Sequence, residues 1–503
     1  MTDAQHATIP RPEDVRRELA RACAAVVGAA ATLSSPEELL AYDVDGFTLE
    51  KHPPDVVVLP STTEEVASLL RLAADRGVPV TARGAGTGLA GGALPAEGGI
   101  VLSTARMDTI LALEPDDRYA VVQPGVVNLH LSHAAAPFGL HYAPDPSSQM
   151  ASTLGGNAST NAGGPHCLKY GLTHAHVLGL TFVLADGTVV TAGGPGADPP
   201  GLDLVGAMVG SEGTCAVVTE LVVRLVPVPE AVRTFLAVFD TVEAAGAAVS
   251  AIIAHGIIPA ALEMLDHLTI VAVEPSVHLG LPLDAGAALL VELDGPASVM
   301  SRRSAQVRAL CEEHGAREVR EARDATERAL LWKARKGAFG AMGRIANGFY
   351  VMDGVVPRTR LPEALRAIAA IGKRHDLRIA NVFHAGDGNL HPNVLYDVDD
   401  PASVERALLA SEEILAACVA LGGSLSGEHG IGSEKRDLMG LLFSEDDLAQ
   451  FLRLRQAFDP AGRLNPRKIL PLGKGCGEVR SLRGLARAGA AFAAGNPDDL
   501  PWI

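Results

Sequence analysis

Residues 83–92 read Arg-Gly-Ala-Gly-Thr-Gly-Leu-Ala-Gly-Gly, five glycines in ten positions. They follow the β-forming run Val78-Pro79-Val80-Thr81-Ala82. Glycine at this density lets the backbone turn sharply and present its N–H groups to an anion, most often a pyrophosphate. Gly86, Gly88 and Gly91 also satisfy G-x-G-x-x-G, the signature of a Rossmann nucleotide site. That signature has meaning only where a helix opens at the glycines. Here Gly92-Ala-Leu-Pro95-Ala-Glu-Gly98-Gly99 intervenes, and a second strand-like run, Ile100–Ser103, follows at once. Eight residues with a proline and three glycines do not supply a crossover helix. The expectation is a strand-to-strand loop holding phosphate without a Rossmann βαβ unit; a ligand-free surface loop is the plainer alternative.

The rest of the chain bounds what such a loop can serve. Its 503 residues exceed a single core and predict two or three domains. Nearly half the residues are apolar and a fifth charged, as in a globular protein. A formal charge of −17 argues against nucleic acid as partner. The six cysteines (Cys23, Cys167, Cys215, Cys311, Cys418 and Cys476) form no C-x-x-C pair. This speaks against a cysteine-ligated iron–sulfur cluster and for a reducing compartment. No apolar run approaches the length of a membrane span, and the acidic N-terminal residues fit no signal or transit peptide. A cytoplasmic protein is expected.

In chain order, residues 11–50 look helical, and Asp55–Pro60 reads as a strand. Ser61-Thr62-Thr63-Glu64-Glu65 opens a helix that Gly77 ends. Further strands are expected at Ile100–Ser103, Ala120–Gln123 and Val177–Leu184. Between the last two lies Pro144–Gly171, small and polar throughout, which reads as an aperiodic wrap around a bound molecule. Gly210-Ser-Glu-Gly-Thr214 forms a third glycine turn before the strand Ala216–Val226. From about residue 230 strands and helices alternate. Strands fall at Thr234–Asp240, Ala288–Asp294, Phe349–Met352 and Ile379–Phe383, with a strand or short helix at Ala260–Leu265. Helices fall at Val242–His255, Ala297–His314, Asp324–Ile345 and Pro362–His375. That pattern suits a ferredoxin-like α+β module. The Gly-, Ala- and Arg-rich last thirty residues read as a loose tail or peripheral helix.

Three groups of residues can carry chemistry. His384 and His391 stand seven apart across the turn Gly386-Asp387-Gly388, so a strand–turn–strand would aim both imidazoles at one point. Ser426-Gly427-Glu428-His429-Gly430 adds a carboxylate and a third imidazole. Two neutral histidines and a carboxylate suit zinc or manganese with positions open to substrate; a lone histidine in a strand is ordinarily structural. Arg335 interrupts an apolar helical row between Leu331 and Phe339, either as a snorkelling side chain or as a fork for a carboxylate.

The stretches RGAGTGLAGG, STLGGNASTNAGG with KYG, and GSEGTCAVVTE closely resemble the flavin domain of the vanillyl-alcohol-oxidase, or PCMH, type across about residues 52–229. The resemblance implies that Arg83, Gly84, Ala85, Gly86, Thr87 and Gly88 hold the FAD pyrophosphate. It extends cofactor contact to Gly125, Pro144, Ser152, Gly155, Gly156, Asn157, Asn161, Gly164, Gly171, Glu212, Gly213 and Val218. Asn465, in a C-terminal segment that returns to the flavin domain, completes the set. Ala85 stands where many members carry a flavin-linking histidine, which implies FAD held non-covalently.

Residues 230–470 resemble the FAD-linked 2-hydroxy acid dehydrogenases: D-lactate and D-2-hydroxyglutarate dehydrogenases and, through WKARKGAF and YVMDGVVPR, the glycolate oxidase flavoprotein subunit most of all. The implied fold class is α+β, a PCMH-type FAD-binding domain with a ferredoxin-like substrate, or cap, domain. The implied division is a helical segment at 1–50, the FAD domain at 52–229 and the substrate domain at 230–455. The returning segment would be 456–471 and the tail 472–503. The resemblance implies His384, His391 and Glu428 as ligands of a divalent metal, Zn or Mn, His429 as base, and Arg335 and Asn393 as substrate contacts. Val351 replaces a lysine that D-2-hydroxyglutarate enzymes use for the distal carboxylate, which disfavours dicarboxylates. The implied reaction oxidises glycolate or D-lactate at the flavin. Electrons would pass to a quinone, a cytochrome or an iron–sulfur partner subunit, a route that also allows peripheral membrane association. The rivals are a stand-alone D-lactate dehydrogenase and a non-catalytic flavoprotein subunit of a larger complex.

Overall fold

In the computed structural model residues 11–196 and 201–472 are described; the expected C-terminal tail lies outside them. The chain divides by internal contact into two units. The first contains residues 11–163, 171–228 (less 197–200) and 428–472; the second contains 164–170 and 229–427.

Two main sheets build the first unit, beside a two-stranded pair of Leu140–His141 with Val226–Pro227. Val56–Val58, Ile100–Ser103 and Val80–Arg83 run parallel, with Thr32–Leu33 antiparallel at the edge. The β-branched run Val56–Val58 and the fully buried Ile100–Ser103 suit strands covered on both faces. Helices Glu13–Val27 and Thr63–Arg76 share their core through Leu19, Cys23, Leu69 and Leu70. Thr62 caps the second helix by accepting from Glu65 N, and Gly77 ends it in the left-handed conformation. The five-stranded antiparallel sheet has the order Ile110–Glu114, Tyr119–Val122, Val217–Arg224, Val177–Val183, Val189–Gly193. Strand Val217–Arg224 alternates buried and half-buried residues, the period-two pattern of a sheet with one face on the core.

Two expectations change here and a third gains a detail. The segment 11–50 is not helical throughout, because Thr32–Leu33 pairs with Val57–Val58. The stretch Pro144–Gly171 is not aperiodic: Thr153 accepts from Gly156 N and starts a helix at Leu154–Thr160. The glycine loop opens no helix, as expected, yet the strands it joins are parallel neighbours. It is thus a helix-free crossover, folded tightly enough that sixteen residues return the chain to the same end of the sheet.

The second unit begins with strands Ala231–Phe239, Ala261–Asp266, Ala287–Gly295 and Ala316–Glu321. In space the fourth lies beside the first, then come the third and the second, all antiparallel. This is the order and sense of a ferredoxin-like module. The sheet continues past Ala261–Asp266 into Arg378–His384, which also pairs with Pro392–Tyr396. One face carries helices His267–Val277 and Ala325–Lys336, whose Ile270, Val273, Leu331 and Ala334 pack on Leu236, Leu265 and Leu290. The expected single helix Asp324–Ile345 is broken at Gly337, where a Cβ would stand 2.8 Å from the carbonyl oxygen of Lys333.

Helix Ala325–Lys336 lies on the sheet through polar side chains as well as apolar ones. Arg328 and Trp332, four residues apart and so on one helical face, both reach Glu292 in the strand below. Arg328 Nε and Trp332 Nε1 donate to Glu292 Oε2 at 2.9 and 2.7 Å, and Thr234 Oγ1 donates at 2.7 Å. Burial raises the pKa of this carboxyl, but its donors outweigh that and hold it at about 2. Because the folded pKa lies below the free value, the contribution is complete above pH ~4.5 and is lost as pH falls toward 2. The expected size is on the order of 3 kcal/mol. Urea unfolding of wild type and Glu292→Gln should therefore show a wild-type advantage at pH 7 that shrinks by pH 3. An advantage independent of pH would refute the charge as its source.

Candidate active site

In the first unit the expected cofactor residues gather around the glycine loop. Gly84 lies so close to the capping residue of helix Leu154–Thr160 that a Cβ would stand 2.3 Å from Thr153 Oγ1. The loop therefore runs against the start of that helix, whose first turn contains Gly155, Gly156 and Asn157. Gly125 and Gly155 are packed against backbone oxygens of Thr104 and Pro124. Pro144 O accepts from the buried Asn128, and Asn161 ends the helix with its Oδ1 accepting from His174 N. Gly171 and Gly213 adopt positive φ, and Val218 sits half-buried at the start of strand Val217–Arg224. Gly164 heads the short segment 164–170, which belongs to the second unit.

The returning chain, 428–472, stitches this region together. Asn465 donates from Nδ2 to the carbonyls of Gly92 (2.8 Å) and Glu212 (2.7 Å). Its backbone N–H bonds Val80 O, on the strand that leads into the loop. The carboxylate of Glu212 accepts from the N–H groups of Ile431 (2.6 Å) and Gly432 (2.7 Å). Burial raises the Glu212 pKa in spite of these donors. Asp45 accepts from Phe47 N and Ala93 N, and burial lifts its carboxyl to about 6. Arg83 is buried with its guanidinium over the Tyr42 ring.

These residues fit a dinucleotide. Arg83 Nη1, Ser152 Oγ and Asn157 Nδ2 are buried and have no hydrogen-bond partner among the described residues. Such donors are costly to leave unpaired. All lie on the loop, on the capped helix or just before it, where an anionic, polar ligand would satisfy them. Glu428 and His429 open the returning segment, with His429 Nε2 3.7 Å from Glu428 Oε1.

In the second unit His384 ends strand Arg378–His384 and His391 follows the turn, with ring centroids 5.1 Å apart. Each ring is oriented through Nδ1. His384 Nδ1 lies 2.8 and 2.9 Å from the oxygens of Glu263, and His391 Nδ1 lies 3.0 Å from Met352 O. Both partners are acceptors, so both rings carry the proton on Nδ1 and point Nε2 away from these partners. That is the orientation of metal-ligating histidines. The donor chemistry of this pair fits two ligands of a divalent cation.

Arg335 is 1 % exposed, which excludes the snorkelling reading. Its Nε donates to Glu263 Oε2 at 2.6 Å. Its Nη2 lies 3.4 Å from His384 Nδ1; since that nitrogen carries a proton toward Glu263, this is a packing contact. Arg335 Nη1 is buried and has no hydrogen-bond partner among the described residues. Asn393 donates from Nδ2 to His391 O and Ala380 O, while its buried Oδ1 likewise has no partner.

Sequence reasoning overlooked Glu263, Asp353 and Asn389. Glu263 is fully buried, and desolvation raises its pKa, but Arg335 and His384 outweigh this and hold the carboxyl below its ordinary range. Asp353 accepts from Asn389 Nδ2 (2.8 Å) and Ser426 Oγ (2.6 Å), and its carbonyl accepts from Gly427 N. The Asp353–Asn389 pair thereby fixes the residue immediately before Glu428. The available signal was an acid inside an apolar strand run, as in Ala261-Leu-Glu-Met-Leu265.

A fold with a glycine-loop dinucleotide cradle and a buried Arg/His cluster defines an FAD-dependent oxidoreductase of the PCMH type. Residues 54–193 match the FAD binding domain model, and residues 228–469 match that of FAD linked oxidases, C-terminal domain. Glycolate oxidase subunit GlcD of Escherichia coli strain K12 is 48 % identical over 450 residues, 90 % of each chain. The D-lactate dehydrogenase of Anaerostipes hadrus is 32 % identical over 430 residues, 83 % of this chain and 90 % of that one. The crystal structure of p-cresol methylhydroxylase with substrate bound covers 93 % of this chain and 99 % of its own, with a TM-score of 0.78 and 16 % identity, which shows the shared fold. The chain belongs to the family of FAD-linked 2-hydroxy acid dehydrogenases and oxidases that includes this GlcD subunit and this D-lactate dehydrogenase. Among the described residues no helix is long and apolar enough to cross a membrane.

The contact at Gly84 makes a direct test possible. Gly84→Ala drives a methyl into Thr153 and should lower the flavin content of the purified protein about tenfold, read as the ratio of flavin to protein absorbance. Wild-type flavin content in this variant would show that the approach of loop to helix does not shape the cofactor site.

Proposed function

We propose that the enzyme oxidises a short 2-hydroxy acid, glycolate or D-lactate, to the 2-oxo acid. The observation that carries this reading is the buried Arg335, whose Nη1 is unsatisfied beside the oriented pair His384 and His391. A buried guanidinium with an open N–H group is a receptor for a carboxylate. The names of the relatives, glycolate oxidase subunit and D-lactate dehydrogenase, point to the same class of substrate.

On this reading Arg335 binds the substrate carboxylate, and Asn393 accepts a hydrogen bond through Oδ1. His384 and His391 hold a divalent cation, Zn or Mn, with Glu428 as third ligand and His429 as acceptor of the hydroxyl proton. The roles of Glu428 and His429 are carried over from the family resemblance. A cation bound there would lower the pKa of the substrate hydroxyl, and FAD, when bound, supplies the two-electron chemistry. Ala85 in the glycine loop offers no side chain for a covalent link, so the cofactor is held by contacts alone. Electrons then leave for an acceptor other than NAD: a quinone, a cytochrome or an iron–sulfur partner. Val351, buried and in register with Asn393, presents an apolar surface where a longer dicarboxylate would need a cation.

A substrate panel with an artificial acceptor tests the class. Glycolate and D-lactate should turn over well and D-2-hydroxyglutarate at least tenfold more slowly. His384→Ala should lose bound metal and nearly all turnover while keeping FAD. Metal content equal to wild type in that variant would remove His384 from the ligand set. No turnover of any 2-hydroxy acid after metal loading would leave the non-catalytic subunit as the better reading.

A further inference from the structure

Glu263 is a buried charge that touches both halves of the proposed chemistry. It is fully buried in the strand Ala261–Asp266, in register opposite His384. One oxygen lies 2.6 Å from Arg335 Nε, and both oxygens lie within 2.9 Å of His384 Nδ1. Its backbone neighbours in this sheet, Leu262 and Met264, are apolar and buried, so the carboxylate is placed against a strong desolvation cost. Its N–H-donating partners Arg335 and His384 offset that cost.

We propose that Glu263 is a positioning residue that sets two geometries at once: the Nδ1–H tautomer of His384 and the aim of the Arg335 fork. By accepting from Nδ1 it leaves Nε2 as the metal-facing lone pair. By taking Nε of Arg335 it anchors the side of the guanidinium nearest the helix and leaves Nη1 to face a substrate carboxylate. A single carboxylate thus couples cation affinity to substrate affinity, and one change should weaken both. This inference rests on the proposed function, since it assigns a reason to the placement of residues named there.

The test uses the full-length flavoprotein and the variant Glu263→Gln, which keeps the shape but loses the charge and one acceptor. Two readouts do not depend on turnover. Bound Mn or Zn, titrated into chelator-treated protein, should weaken at least tenfold, and oxalate, an unreactive analogue of a short 2-hydroxy acid, should bind at least tenfold more weakly by calorimetry. In steady-state assays KM for D-lactate or glycolate should rise more than kcat falls in metal-saturated enzyme, because the flavin chemistry is untouched. Glu263→Asp, which keeps the charge on a shorter arm, should recover part of both affinities. Metal and oxalate affinities of Glu263→Gln within twofold of wild type would overturn the proposal. If that variant does not fold, the tautomer decides. Nitrogen-15 histidine spectra of metal-free wild type, with His384 assigned by His384→Gln, should show the proton on Nδ1; a proton on Nε2 overturns the proposal. Wild type that binds neither metal nor oxalate would instead refute the functional reading beneath it.

Discussion

A carboxylate inside an apolar sheet must find charged or hydrogen-bonding partners or take up a proton, and the second unit is arranged around that constraint. Glu263 and Glu292 lie on the same face of adjacent strands, Glu292 opposite Ala261 and Glu263 opposite Leu290. Arg328, Trp332 and Arg335 descend from one face of a single helix to meet them. The spacing of four and three residues is the helix repeat, so the helix can satisfy both acids only in one rotation and one register. Apolar packing alone tolerates sliding far better than this. Pairing buried charges adds little net stability against a hydrophobic alternative, but losing one partner is costly. What the arrangement fixes is position: Arg335 arrives beside His384, and nowhere else.

The first unit applies the same rule with backbone groups as partners. Glu212 is buried, and its oxygens are satisfied by the N–H groups of Ile431 and Gly432. Asn465 spans two carbonyls, one at the end of the glycine loop and one in the Glu212 turn. Gly432 is close enough to Ala90 that a Cβ would fall 1.8 Å from its carbonyl oxygen. A loop with five glycines has high conformational entropy when free. Its order here comes from residues some 340 to 380 positions later, which close over it as strand partner and hydrogen-bond donor. The glycine loop is therefore defined by the returning chain as much as by its own sequence.

This explains what could be read in advance. Strands with β-branched runs, such as Val56–Val58 and Val177–Val183, and helices with caps, such as Thr63–Arg76, announce themselves locally. So did the flavin cradle and the His384/His391 turn, because each is carried by a short contiguous motif. The helix at Leu154–Thr160 did not, since its glycines and small polar residues lack an apolar stripe, and only the Thr153 cap marks it. Nor did Glu263 or Asp353, whose significance depends on strands pairing at separations of 121 and 36 residues with His384 and Asn389. An acid in an apolar strand was visible; its partner was not. The parallel sense of the strands flanking the glycine loop was hidden for a related reason, as it is fixed by how both pair and not by the loop between them.

The proposed preference for a short substrate follows from the same accounting of buried charge. Arg335 already gives Nε to Glu263, and on the proposed reading its open Nη1 receives the single substrate carboxylate. A second carboxylate buried nearby would need a second cation to offset its desolvation, and in water-excluded surroundings that deficit is several kcal/mol. Val351, the register partner of Asn393, is 8 % exposed and contributes only methyl groups. If the substrate binds as proposed, a methyl or hydrogen on its C2 carbon would match that surface, whereas a charged tail would not. The discrimination is thus asymmetric: one added methyl changes affinity modestly, but an unpaired charge is rejected strongly. On the proposed reading glycolate and D-lactate fall together on the accepted side, so Arg335, Asn393 and Val351 would separate chain classes more sharply than they separate these two acids.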